Sequence, residues 1–243
     1  MKLLKADHNR RLDIPGVPNL VRRPVDIDKS QTGFANLRSL RIYRFDADSE
    51  INGHAEEDEV LIVVMAGTVE LAMSEHDSVG DARPVTLSEP GVSGKSPCAA
   101  YLPPHAAYRL IPKGDADIAY ARATPAFGRP PSAFNPNVRT GADGTSVLLE
   151  ETSYAQRLRL RLVKIDAFQG KISIAPIEKS EEMFEALVHA KTVPAVSAAT
   201  IAESSATPIA LESWDTVAVS PGEHCRVNFA KGSSALVLVV LAT

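Results

Sequence analysis

Residues 60–66, Val-Leu-Ile-Val-Val-Met-Ala, form an uninterrupted apolar run that ends on Gly67-Thr68 and resumes as Val69-Glu-Leu71. Such a run is too short for a membrane span or an ordinary core helix, and its β-branched content favours a strand buried on both faces. Gly67 supplies the backbone freedom for a tight reversal, so the stretch predicts a buried strand turning back on itself. Directly before it, His54-Ala-Glu-Glu-Asp-Glu59 places an imidazole and several carboxylates at the strand entry. That is where a β-barrel can carry metal ligands.

The same grammar recurs. Cys98-Ala-Ala-Tyr-Leu-Pro-Pro-His-Ala-Ala-Tyr-Arg-Leu110 and Trp214-Asp-Thr-Val-Ala-Val-Ser-Pro-Gly-Glu-His-Cys-Arg-Val227 both read as strand, Pro-containing turn, strand. Further short strands are predicted at 37–45, 85–87, 99–102, 107–111 and 118–123, and then at 171–175, 208–211, 216–219, 225–230 and 235–242. This is the spacing of an antiparallel barrel or sandwich. Residues 181–190 are good helix formers, but 184–189 also suit a strand equivalent to 59–64, and strand is the reading taken. Residues 1–36 read as an irregular arm with one short strand around 19–22. Leu158, Leu160 and Leu162 alternate with Arg157, Arg159 and Arg161, which predicts leucines turned inward and arginines in solvent. Residues 128–144 are rich in Pro and Gly and mark a connection. The chain is thus expected to be all-β with two similar domains, 1–130 and 145–243, joined through 131–144.

Net charge of −4 across 243 residues gives no field that would gather nucleic acid or anionic membrane. The first residues lack the apolar core of a signal peptide, so a cytoplasmic protein with small-molecule partners is expected. Cys98 and Cys225 are the only cysteines; far apart and outside any Cys-x-x-Cys, they read as small buried side chains. Gly94-Lys-Ser96 is not a phosphate loop, because Glu89 stands where the first glycine is needed and Pro97 follows. No Gly-x-Ser-x-Gly elbow is present to support a Ser/His/Asp triad.

Several stretches together carry a resemblance: Glu59 to Gly67, Ala100-Tyr-Leu-Pro-Pro104, residues 158–170, Phe184-Glu185 with His189, and Trp214-Asp215 to His224 ahead of the apolar end. In this order they resemble the cupins, and more narrowly the 5-deoxyglucuronate isomerase family of inositol catabolism, which includes the 4-deoxy-5-keto-uronate isomerases of pectin breakdown. The resemblance covers most of the chain and implies a bicupin of two double-stranded β-helix (jelly-roll) barrels. It also implies a metal site in the second barrel, built from a His-x-His pair after a Pro, a Glu on the next strand and a His in the turn before the final strands. The matching positions here are Pro176-Ile-Glu-Lys179, Glu185 and His224. The histidine pair has become Ile177 and Lys179, so a divalent metal is admitted but the family's ligand set is incomplete.

The resemblance implies a sugar-acid isomerase with Glu185 as acid or base and His224 as its partner. Lys179 is expected to stand in for the lost cation by pairing with Glu185, unless it lies in a surface loop. The alternative is a cupin without chemistry that binds a sugar acid or similar small molecule as a sensor or accessory protein. In the first half, His54, Glu56, Glu59 and His105 are the metal candidates, with His54 and Glu56 mimicking a His-x-His pair. They read equally as a solvated acidic loop with two surface histidines. Homo-oligomerisation is left open.

Overall fold

The structure is a computed structural model describing residues 1–47, 49–90, 96–125, 129–135, 137–140, 145–149, 157–174, 181–188, 199–201, 209–223 and 225–243, with backbone alone at 137–140, 145–149, 165–174, 199–201, 209–210, 226 and 228–234. The described residues are nearly all strand, with one short helix at Lys29–Thr32. No helix among them is long and apolar enough to cross a membrane. The chain divides into two compact units, one made mainly of Asp7–Asn135 and the other mainly of Met1–Ala6 and Arg159–Thr243. Among the described residues no sheet closes on itself.

In the first unit a seven-stranded antiparallel sheet runs in the order Ser132–Phe134, Ala99–Leu102, Glu59–Ala66, Ala116–Ala123, Leu37–Phe45, Val21–Asp28, Arg11–Leu12. A four-stranded sheet runs Ile51–His54, Ala107–Pro112, Thr68–Ser74, Val85–Ser88. Val60, Ile62 and Val64 from the larger sheet share one apolar core with Leu71, Leu87 and Leu110 from the smaller. Leu61, Val63 and Met65 on the opposite side of the same strand are buried too. The strand is covered on both faces, as its composition requires.

The expected hairpin does not form. Glu59–Ala66 pairs with Ala116–Ala123 and Ala99–Leu102, whereas Thr68–Ser74 pairs with Ala107–Pro112 and Val85–Ser88 in the other sheet. Gly67, at φ 84°, is a corner between sheets, and its carbonyl accepts the Glu89 N–H at 3.0 Å. The sequence does require glycine there: a Cβ would lie 2.4 Å from the backbone oxygen of Asp115. It does not dictate which strand the chain joins next.

In the second unit one nine-stranded sheet contains the path Lys2–Leu4, Thr216–Val219, Glu182–Val188, Cys225–Ala242, Leu158–Ile174, Thr145–Leu149, Asn137–Thr140; Ala199–Ile201 pairs with Cys225–Ala242 and with Ile209–Leu211. The reading of residues 184–189 as strand is met by Glu182–Val188. Two pairs of expected strands, 158–162 with 171–175 and 225–230 with 235–242, are each one continuous strand. The N-terminal arm is more ordered than expected, since Lys2–Leu4 pairs with Thr216–Val219 and Val21–Asp28 pairs with Leu37–Phe45. The Pro- and Gly-rich connection also carries strand at Ser132–Phe134 and Asn137–Thr140.

Leu158, Leu160 and Leu162 are buried as predicted, at 1%, 1% and 0% exposure. The arginines are not in solvent: Arg157, Arg159 and Arg161 are half-buried. Arg161 lies on the same face of the strand as Val163, a member of the second unit's apolar core. Strict alternation fixes which residues share a face, but it does not say which face is interior.

Candidate active site

Strand Glu182–Val188 lies between Thr216–Val219 and Cys225–Ala242, with Glu185 opposite Val217 on one side and Val239 on the other. Directly paired residues project to the same side of an antiparallel sheet. Glu185 therefore shares a face with Met183, Leu187, Val217, Val239 and Leu241, all members of the second unit's apolar core. It is only 2% exposed, and neither carboxyl oxygen makes a hydrogen bond of acceptable geometry. Burial without donors penalises the charged form and pushes its pKa up to about 7; the Cys225 thiol and the Arg161 guanidinium oppose the shift without cancelling it. The thiol is driven upward in turn by its own burial and by the Glu185 charge.

Among the described residues Arg159 and Arg161 bring cations to this site. Arg159 Nη1 donates to Glu181 Oε1 at 2.9 Å, and Glu181 is fully buried. Burial lowers the pKa of Arg161, while the charges of Glu181 and Glu185 hold it up. The second unit thus brings together two carboxylates, two guanidiniums and a thiol. Of these only Glu185 was singled out from sequence. The missed signal is that Glu181, directly before the strand Glu182–Val188, and Glu185 within it need internal cations, which the Arg-Leu alternation supplies. Ile177, Lys179, His189 and His224, and with them the expected pairing of Lys179 with Glu185, lie outside the described residues; among the described ones Arg161 is a cation whose charge acts on Glu185.

The first-half candidates meet different fates. Glu59 is fully buried and accepts the backbone N–H groups of Arg157 and Leu158 at 3.0 and 3.1 Å. Together with burial, its charge pushes the Tyr101 phenol well above its ordinary value. Glu56 and His105 both have left-handed backbone, at φ 56° and 67°, and the His105 N–H donates to the Glu56 carbonyl. Their backbones meet, but Glu56 and His105 are exposed, as is His54. Among the described residues no three His, Cys, Asp or Glu side chains come together as a metal site. Around Glu185 a divalent cation would meet one carboxylate, one protonated thiol and a guanidinium. Among the described residues that donor set does not make a divalent-metal site.

Comparison with known proteins adds the following. A family model described as the KduI/IolB family matches residues 21–143. No curated protein matches the chain. Among solved structures, an IolB-like protein from Salmonella typhimurium superposes with a TM-score of 0.65 at 16% identity, covering 93% of each chain. Protein YlbA from E. coli superposes at 0.69 with 11% identity over 99% of this chain and 90% of that one. A Lactobacillus farciminis oxalate decarboxylase does so at 0.69 with 8% identity over 99% and 86%. At such identities the structural likeness speaks for an all-β fold with cupin-like neighbours.

Proposed function

Since the chain belongs to the KduI/IolB family, we propose that it acts on a sugar acid and interconverts its aldose and ketose forms, with Glu185 moving the proton between neighbouring carbons. The observation that carries this reading is the buried Glu185 carboxyl, met by the Cys225 thiol and poised near neutrality. A general base works best when its pKa lies near the operating pH. In the proposed step the Glu185 carboxylate takes the proton from the hydroxyl-bearing carbon and returns it to the former carbonyl carbon. The hydroxyl proton passes from one oxygen to the other, so no co-reactant is consumed. Arg161 faces the negative charge that develops on oxygen, while Arg159 is paired with Glu181.

We extend the reading to the architecture. Each unit is taken as one jelly-roll of a bicupin with the connection in residues 131–144, supported by separate cores in the two units. Residues 1–6 are then a strand lent to the second. A place in inositol or uronate catabolism in the cytoplasm is part of the same proposal, supported by the family alone.

The second reading is a binder that has lost chemistry. It is favoured by the two guanidiniums and the incomplete ligand set around Glu185. The deciding experiment follows 5-deoxyglucuronate in deuterated buffer by NMR. Isomerase action exchanges the transferred hydrogen, and Glu185→Gln lowers turnover by about 10²–10⁴-fold. Metal analysis of the same preparation shows whether turnover tracks bound Mn, Fe, Zn or Ni. Binding without exchange in the wild type would leave the binder as the surviving reading.

A further inference from the structure

A cavity of about 270 Å³ opens in the first unit, and its walls come from both sheets and the loop after Arg11–Leu12. Period-two geometry puts Arg41, Tyr43 and Phe45 on one face of their strand. Tyr120 pairs with Arg41 across the sheet, and Tyr108 enters from the smaller sheet. Four features indicate a cavity built for a ligand.

Tyr120 is 7% exposed, and its hydroxyl makes no hydrogen bond of acceptable geometry. It stands beside Tyr108, their ring centroids 6.0 Å apart, and burial pushes the Tyr108 phenol up to about 12. Both phenols are therefore neutral donors at physiological pH. Buried polar groups are normally satisfied, and the Tyr120 hydroxyl has only the Tyr108 phenol as a partner of imperfect geometry, so a ligand oxygen on this cavity wall would complete the pair.

Arg122 is held rigidly, donating to the carbonyls of Ala55 and His54 at 3.0 and 2.8 Å and to Asp58 at 3.4 Å. Arg41 commits only its Nε, to Asp26 at 3.2 Å. For its terminal N–H groups, the planar fork that suits a carboxylate, no acceptor is found among the described residues.

One carboxylate anchors this side of the wall: Asp26 is shared by Arg10, Arg23 and Arg41, so it is divided among three guanidiniums.

Gly53 makes room for the wall. It pairs with Tyr108 across the sheet, and a Cβ there would lie 2.4 Å from the Tyr108 ring and hydroxyl. The phenol lies flat over a residue that only glycine can occupy. Tyr43 stacks on Phe45 at 5.4 Å and 12°, which gives a flat apolar wall of the kind sugar C–H faces pack against.

We propose that this first-unit cavity is a second binding site, separate from Glu185, for a small hydroxy-carboxylate: Arg41 and Arg122 take the carboxylate, Tyr108 and Tyr120 donate to ligand oxygens, and Asp13 at the mouth accepts a hydroxyl. The acidic Asp13 would repel a bare carboxylate, which is why hydroxyls belong in the ligand. The site does not depend on the isomerase reading.

Calorimetric titration of the full chain with D-glucuronate tests the proposal, with D-glucose and acetate as probes lacking the carboxylate and the hydroxyls respectively. D-Glucuronate is expected to bind at least fivefold tighter than either. Tyr120→Phe and Arg41→Gln are each expected to weaken it at least fivefold. Glu185→Gln should leave this binding component unchanged, whatever its effect on turnover. Tyr120→Phe removes only a hydroxyl whose one hydrogen-bond neighbour is the Tyr108 phenol, so it keeps the fold and carries the test if Arg41→Gln does not. The proposal is overturned if D-glucuronate does not bind, if glucose or acetate binds as tightly, or if Glu185→Gln abolishes all binding while Tyr120→Phe leaves it intact.

Discussion

Glu185 sets a conflict between stability and chemistry that pH exposes. Its folded-state pKa of about 7 stands above the ordinary 4.5, so between these values the folded chain holds a proton that the unfolded chain has released. The native state is thus favoured fully below about pH 4.5, and that advantage is lost as pH rises to about 7, by roughly 3 kcal/mol. Urea denaturation at pH 5 and pH 8 measures it, and Glu185→Gln should remove the difference. The base form needed for turnover grows over the same range, so activity should rise through about pH 7 as stability falls. Arg159 makes a second case. It is 18% exposed and holds the fully buried Glu181, so Arg159→Ala should cost about 2–4 kcal/mol because the remaining charge is stranded. Replacing both partners with apolar residues should recover most of the loss in the same assay; equal damage from the single and double variants would refute the pairing argument. The charged half of this site was hard to read from sequence because Arg157, Arg159 and Arg161 fit a solvent face as well as an interior one. What decides is Glu181 and Glu185 at the start of and within the strand Glu182–Val188, a contact absent from local pattern.

Elements were more legible than their partners. Glu59–Ala66, Leu37–Phe45, Glu182–Val188 and Thr216–Val219 follow from apolar runs and alternation, since side-chain period is local. Pairing is not, and the corner at Gly67 shows the consequence. The glycine was recognised as a turn, yet two-sheet packing carries the chain away from the expected hairpin. Lys2–Leu4 was missed for the same reason: a strand of three residues has almost no period of its own and exists because Thr216–Val219 offers it an edge. Tyr43, Tyr108 and Tyr120 come from three separated strands and met only in the fold. Gly67 and Gly33 allow a matched prediction. Both have positive φ, but a Cβ at Gly33 meets nothing within 4 Å, whereas at Gly67 it meets backbone. Gly33→Ala should cost about 1–2 kcal/mol from backbone strain, and Gly67→Ala distinctly more. Equal midpoints in denaturant would show that the corner can relax and that Gly67 serves only its own φ.

At the scale of the whole molecule the chain is not divided at one point in the sequence. Residues 1–6 belong to the second unit, residues 7–135 to the first, and the remainder of the second follows more than a hundred residues later. Lys2–Leu4 covers the edge of the strand Thr216–Val219, which in turn pairs with the strand bearing Glu185. Lys5 Nζ lies 2.6 Å from Asp215 Oδ2, and the Ala6 N–H donates to Asp215 Oδ1 at 3.1 Å. Asp215 is 2% exposed, so it depends on these partners to offset its desolvation. The arm thereby closes the ladder next to the candidate catalytic strand. Lys5→Ala should destabilise by about 1–2 kcal/mol, less than a fully buried pair because Lys5 itself is largely exposed. Removing residues 1–6 should cost more, since it also opens the Thr216–Val219 edge and takes two donors from Asp215, which keeps the Glu212 N–H at 2.8 Å. Hydrogen exchange on the full chain locates the effect: amides of Thr216–Val219 and Glu182–Val188 should lose protection in the truncated form, while those of Glu59–Ala66 and Ala116–Ala123 keep it. Uniform loss across all four strands would mean that the two units unfold as one, and unchanged protection at Thr216–Val219 would mean that the arm does not hold the second sheet's edge.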